Sequence, residues 1–145
     1  QEVFHSFRRV HQIFHQKLLK AAQPYGITPV QIFVLRALFD NAGISLTELA
    51  DRIQLGASTT SGIVDRMEKA GLVLRERLPA DRRAVRLTLT ETGATVWRNL
   101  NAERMELLSP LLQLPAEDIG ELLRIHEQII EILQTAGVEL DNGNK

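Results

Sequence analysis

Residues 45–71 read SLTELADRIQLGASTTSGIVDRMEKAG, and this stretch decides the fold. Ser45 can cap a helix, and Glu48 stands three residues on, which is the spacing of a capping box. Leu46, Leu49, Ala50 and Ile53 recur at helical intervals, so a short amphipathic helix is expected. Gln54-Leu55-Gly56 makes a tight turn. A further helical segment runs from about Ser58 to Ala70. Gly71 follows as a left-handed cap, with apolar Leu72 behind it as that cap prefers. Two short helices joined by a three-residue turn are the sequence form of a helix-turn-helix.

The second of these helices divides cleanly by face. At 100° per residue, Thr60, Ile63, Val64 and Met67 share one side and are expected to pack inward. Ser58, Ser61, Gly62, Asp65 and Lys69 point away, with Thr59 and Arg66 on the flank. The outward N-terminal half is small and rich in hydroxyls. Small residues let a helix seat deeply in a major groove about 12 Å wide, and hydroxyls can bond phosphates or base edges. Gly62 costs roughly 1 kcal/mol relative to Ala inside a helix. A close approach to a duplex would justify that cost; a solvated face with an incidental glycine is the plainer alternative.

Downstream of Gly71 the period changes. Val85, Leu87 and Leu89 alternate with Ala84, Arg86 and Thr88, which is strand spacing, and Leu72 to Leu78 is the expected partner strand. Pro79-Ala80-Asp81-Arg82 between them reads as a hairpin tip. An arginine at such a tip, Arg82 or Arg83, can enter a minor groove, whose narrow A·T stretches carry enhanced negative potential. Asp81 reads as the partner that orients one of them through a hydrogen-bonded ion pair. Thr90 can cap another helix bearing Val96, Leu100, Leu107, Leu108, Leu111 and Leu112. Pro115 starts the last helix, with Glu117 and Asp118 in its first turn, where the helix dipole favours acids. Its apolar stripe is Ile119, Leu122, Leu123, Ile129, Ile130 and Leu133, and the tail beyond Gly137 is expected to fray.

Upstream, Phe4, Phe7, Val10, Phe14 and Leu18 form the stripe of an N-terminal helix that Pro24 and Gly26 end. Thr28-Pro29-Val30-Gln31 opens the next one with a cap, a first-turn proline and a capping box. That helix carries Phe33-Val34-Leu35 and stops near Gly43. The fold expected is mainly α with a small β-hairpin wing. It joins a winged helix-turn-helix over 28–90 to a helical dimerisation part from both chain ends, 1–24 plus 91–136, within one domain of 145 residues.

Composition agrees with this. Apolar residues make up 44 % of 145, enough to bury a core. No apolar run is long enough for a membrane span, and the start Gln1-Glu2-Val3-Phe4 does not read as a signal peptide. Cysteine is absent, which removes disulfides, thiol sensing and thiolate metal sites and suits a reducing cytoplasm. The net charge is only -1, but it is unevenly spread. Residues 1–90 hold 13 Lys/Arg against 8 Asp/Glu, whereas residues 91–145 hold 4 against 10. A basic part facing nucleic acid and an acidic part facing elsewhere fit that asymmetry.

The residues so far carry a resemblance. Ser45 to Asp51, then Ile63-Val-Asp-Arg-Met-Glu-Lys-Ala-Gly-Leu-Val73, then Asp81 to Gly93 resemble the multiple-antibiotic-resistance regulator (MarR) family of transcription factors. Thr28-Pro29 with Gln31 resembles the start of that family's second helix. The sharpest part is Asp81-x-Arg83 followed by Leu87, Leu89-Thr90 and Gly93. The resemblance implies a homodimeric, ligand-responsive regulator, more often a repressor, that reads a pseudo-palindromic operator in double-stranded DNA. It implies that the first and last helices of two subunits interlock; here those carry Phe4, Phe7, Val10 and Phe14, and Ile119, Leu122, Ile129 and Leu133. Two apolar helices at opposite chain ends independently ask for a partner surface, although packing on their own core accounts for part of each stripe.

The resemblance also implies a small anionic or phenolic effector held between dimer base and winged helix, with His11, His15 and Trp97 at its border. His11 and His15 stand at the i,i+4 spacing of a metal pair, but no Glu or third His stands nearby in sequence, and no metal or other cofactor is expected. Asp65 and Arg66 match a common family pair, and Arg66 reads as a DNA contact. Lacking Asn or Gln, the reading helix leaves its operator open. The main alternative is a winged helix used only as a protein-interaction module; such a module needs no basic wing tip. An enzyme is a distant third, because no nucleophile motif, phosphate loop or metal spacing gathers the Ser, His and carboxylate residues.

Overall fold

A computed structural model describes the backbone of residues 1–142 and the side chains of all of these except Arg82, Arg83 and 137–142. The chain forms two compact units, one from Gln1 to Leu108 and one from Ser109 onward. The first holds α1 (Glu2–Ala22), α2 (Pro29–Asp40), α3 (Leu46–Ile53), α4 (Ala57–Lys69), β1 (Val73–Leu78), β2 (Asp81–Leu89) and α5 (Glu91–Leu108). The second holds a 3-10 turn, Ser109–Gln113, and α6 (Ala116–Asn142). Mostly helical, with a two-stranded antiparallel wing, the chain has the architecture expected.

Local chemistry sets the element ends. A 3-10 turn, Gln23–Tyr25, closes α1, and Gly26 follows in the left-handed region at φ 62°. At α2, Thr28 Oγ1 accepts from the Gln31 N–H at 3.3 Å and Gln31 Oε1 accepts from the Thr28 N–H at 3.1 Å, so the capping box is complete. At α3, Ser45 Oγ accepts from the Glu48 N–H at 3.1 Å, which is one half of the capping box expected there. Gln54 turns the chain sharply at φ 56°. At the end of α4, Gly71 stands at φ +74°. Its N–H donates to the Glu68 carbonyl at 3.0 Å, while the Leu72 N–H donates to that of Met67 at 2.9 Å. These two bonds make a full Schellman cap, and they satisfy carbonyls that the helix itself leaves unpaired.

Three boundaries differ from the sequence reading. The wing turn is shorter: Leu78 pairs with Asp81, so only Pro79 and Ala80 lie outside the strands. Register slips between Arg77, which pairs with Val85, and Leu78, so the ladder is irregular next to the two-residue turn. The helix begun at Glu91 stops at Leu108 instead of running through Leu112, since Pro110 cannot donate to an α-helical ladder and a 3-10 turn takes over. Beyond Gly137, α6 continues to Asn142, an interior glycine costing only about 1 kcal/mol.

The core of the first unit gathers residues from every element. Ala21 and Ala22 of α1, Leu35 of α2, Leu49 of α3, Met67 of α4, Leu87 of β2 and Leu100 of α5 are all buried. Leu87 also joins the wing to the α2–α3 connection, donating from its N–H to the Ile44 carbonyl at 2.8 Å and accepting from the Gly43 N–H at 2.9 Å. Among the described residues, no helix is long and apolar enough to cross a membrane.

Candidate nucleic-acid interface

α4 presents the two faces that its sequence demands. Thr60, Ile63, Val64 and Met67 are buried, while Ser58, Thr59, Asp65 and Arg66 are exposed and Ser61 and Gly62 are half-buried. Thr60 is the polar residue of the inner face, and it costs little there because its hydroxyl donates to the Gly56 carbonyl at 2.9 Å. Among the described residues, no atom outside the adjoining α4 backbone lies within 4 Å of the position a Cβ would take at Gly62. None of these neighbours therefore requires a glycine; the outer side of α4 stays slim at that point.

The structure also places α2 beside this surface, which was not legible from α4 alone. A groove of about 490 Å³ is lined by Thr28, Val30 and Gln31 of the α2 start and by Ser58, Thr59, Gly62, Ile63 and Arg66. Hydroxyls, a carboxamide, a guanidinium and a glycine thus share one concavity. Each can donate to an anion or a base edge, or let one come close.

Asp65, on the outer side of α4, has a partner in the wing. Arg75 of β1 reaches it with Nη1 at 2.6 Å from Oδ1. The carboxylate on the outer side of α4 is thereby tied to the first strand of the wing. A second arginine, Arg86 of β2, donates from Nη1 to the Gly43 carbonyl at 2.8 Å. The base of the wing is consequently fastened on one side to α4 and on the other to the α2–α3 connection. Neither arginine stood out in the sequence, because each lies in a charged strand with nothing local to mark its partner. Asp81 is exposed at the start of β2, while the side chains of Arg82 and Arg83 lie outside the described residues.

The remaining candidates fall elsewhere. Phe4, Phe7, Val10 and Phe14 of α1 are all exposed in the single chain, at 78, 44, 52 and 41 %. Leu18, Ala21 and Ala22 at the other end of that helix enter the core. On α6, Leu122 and Leu133 are exposed and Ile119 and Ile129 half-buried. His11 and His15 stack on α1 with ring centroids 6.2 Å apart. Trp97 is buried on α5 and tilts against Phe39 of α2 at 6.3 Å. On α5, Arg104 has a buried Nε without a partner among the described residues, although its Nη2 donates to Asn101 Oδ1 at 2.7 Å. Burial, and then the charge of Arg36 on α2, push the Arg104 guanidinium below its ordinary value.

A half-buried wing braced against a helix-turn-helix defines the class: this is a winged helix-turn-helix protein. The MarR family profile matches residues 27–85. The chain is 34 % identical over 108 residues to the HTH-type transcriptional regulator YsmB of Bacillus subtilis, covering 74 % of each chain. A MarR family protein from Bacillus stearothermophilus superposes with a TM-score of 0.81 at 28 % identity, over 92 % of this chain and 94 % of that one. The transcriptional repressor CouR, solved bound to a 23-mer DNA duplex, superposes with a TM-score of 0.67 at 27 % identity, over 87 % and 89 % of the two chains. The chain belongs to the MarR family of transcriptional regulators.

Proposed function

We propose that this protein is a transcriptional repressor that grips a pseudo-palindromic operator as a homodimer. One observation carries the reading: α4 buries its apolar side and offers Ser58, Thr59, Ser61 and Gly62 outward, on a helix joined to a wing. A slim, hydroxyl-bearing helix of this kind suits the major groove, and the wing, with Arg82 and Arg83 beyond its turn, suits the neighbouring minor groove. Arg66 supplies a cation beside them for a phosphate or a guanine edge. The similarity to CouR, a protein seen on a duplex, favours this over a winged helix that contacts only other proteins.

The exposed stripe of α1 supports the homodimer. A row of four large apolar side chains in water is costly at about 25 cal/mol per Å², and a second copy is the surface that family membership offers for it. An effector fits the same scheme. For a small anionic or phenolic ligand, His11, His15 and Trp97 are the wall candidates. Such a ligand acts only by binding one spacing of the two reading helices better than another.

Selection of bound sequences from a pool of random duplexes tests the reading. The result expected is enrichment of an inverted repeat, whose complex small aromatic carboxylates then weaken in competition. Recovery of unenriched sequence at moderate ionic strength would contradict it.

A further inference from the structure

The acid on the outer side of α4 poses a problem that the proposed function does not solve. A carboxylate facing a duplex repels phosphate, and Asp65 is exposed on the helix that would enter the groove. Its geometry answers this. Asp65 Oδ1 sits 2.6 Å from Arg75 Nη1, a short charge-assisted contact that crosses from helix to wing strand. Arg75 itself pairs with Leu87 in the wing ladder. Leu87 is fully buried and bridges to Ile44. The bridge therefore ends on a firmly held part of the wing, near its base and away from the register shift between Arg77 and Leu78.

We propose that Arg75 and Asp65 are positioning residues: their bridge fixes the offset between the reading helix and the wing, so that both reach adjacent grooves together. Neither side chain reads a base or holds a phosphate. Asp65 acts through Arg75, and its charge is spent inside the protein. This inference rests on the proposed DNA binding and adds a division of labour to it. Arg66 is left to face the duplex, whereas Arg75 sets where the reading helix and the wing stand.

Salt dependence separates the two roles. A cation that neutralises a phosphate releases counterions, and losing it lowers the slope of log K against log salt by about 1. A brace releases none. The experiment compares wild type, Arg75→Met, Asp65→Asn, the double variant and Arg75→Lys. Each is titrated at several salt concentrations against a duplex selected by the wild-type protein and against an unrelated duplex of equal length. Arg75→Met and Asp65→Asn are each expected to lose about three- to tenfold in preference for the selected duplex over the unrelated one. The salt slope stays unchanged in Arg75→Met, the double variant is no worse than the worse single, and Arg75→Lys recovers part of the preference.

A slope reduced by about 1 in Arg75→Met would overturn the proposal, since Arg75 would then be a phosphate contact. Unchanged preference in both single variants would overturn it too, as would losses that simply multiply in the double variant. If Arg75→Met does not fold by thermal denaturation, Asp65→Asn with its duplex preference decides alone. Failure of the wild-type protein to favour any duplex would instead sink the DNA-binding reading itself.

Discussion

Gly93, in the first turn of α5, lies directly against the backbone of Leu72, the residue that completes the cap of α4. A Cβ at Gly93 would come within 2.1 Å of the Leu72 carbonyl oxygen, far closer than van der Waals contact. Thr90 finishes the junction: its hydroxyl donates to the Gly71 carbonyl at 2.6 Å and accepts from the Gly93 N–H at 3.0 Å. Its own N–H donates to the Leu72 carbonyl at 3.0 Å. The end of the reading helix is thus welded to the start of α5, with the whole wing looped out between them.

Gly93→Ala follows from this contact. The obstacle is backbone, which cannot swing aside as a flexible side chain would. The variant is expected to lose about 1–3 kcal/mol of stability, as in other overpacked sites. A urea midpoint lowered at unchanged m would show it; an unaltered midpoint would mean that the junction has slack.

Gly62→Ala should behave in the opposite way. Open space surrounds the missing Cβ, so alanine is expected to stabilise the free protein by up to about 1 kcal/mol through helix propensity. Affinity for a selected duplex is expected to fall at the same time, because the added methyl group meets the groove floor. Paired measurements of melting and duplex binding check this. A gain in stability with no loss in binding would place Gly62 away from the duplex.

At the wing, Arg83→Ala is expected to weaken duplex binding and to lower the salt slope by about 1. A titration series between low and moderate salt reads both quantities. Parallel lines for wild type and variant would remove Arg83 from the phosphate or minor-groove contacts.

The apolar stripes predict the oligomeric state. Phe7→Glu on α1, and Leu122→Glu with Ile129→Glu on α6, would each bury an unpaired carboxylate in a dimer, at several kcal/mol per charge. Sedimentation equilibrium is expected to show monomers where the wild type is dimeric. Dimers that persist in both variants would place the interface elsewhere.

How far the sequence could be read depended on whether the cause of each feature was local. Thr28, Ser45 and Gly71 announced their caps because the bonded groups lie within a few residues of each other. The buried row Thr60, Ile63, Val64 and Met67 followed from helical period alone. The wing's strands were equally legible, but its register was not, since the slip opposite Leu78 depends on how two strands settle against a core. Asp65–Arg75 stayed hidden for a related reason: ten positions and a change from helix to strand separate the partners, and only the folded chain brings them within 2.6 Å. The stop of α5 at Leu108 could have been anticipated, since Pro110 was in plain view. The apolar residues of α1 showed their period, yet period could not say that Phe4 and Phe7 would remain uncovered while Leu18 sank into the core.

Hydroxyl-radical footprinting on a selected duplex is the most direct test of the central claim, that two copies present one helix and one wing each to a single duplex. The expected pattern is two protected regions related by a twofold axis, centred one helical turn apart at roughly 34–36 Å, with protection of the flanking minor grooves that fades in Arg83→Ala. A single protected patch, or protection that ignores the sequence of the duplex, would contradict it.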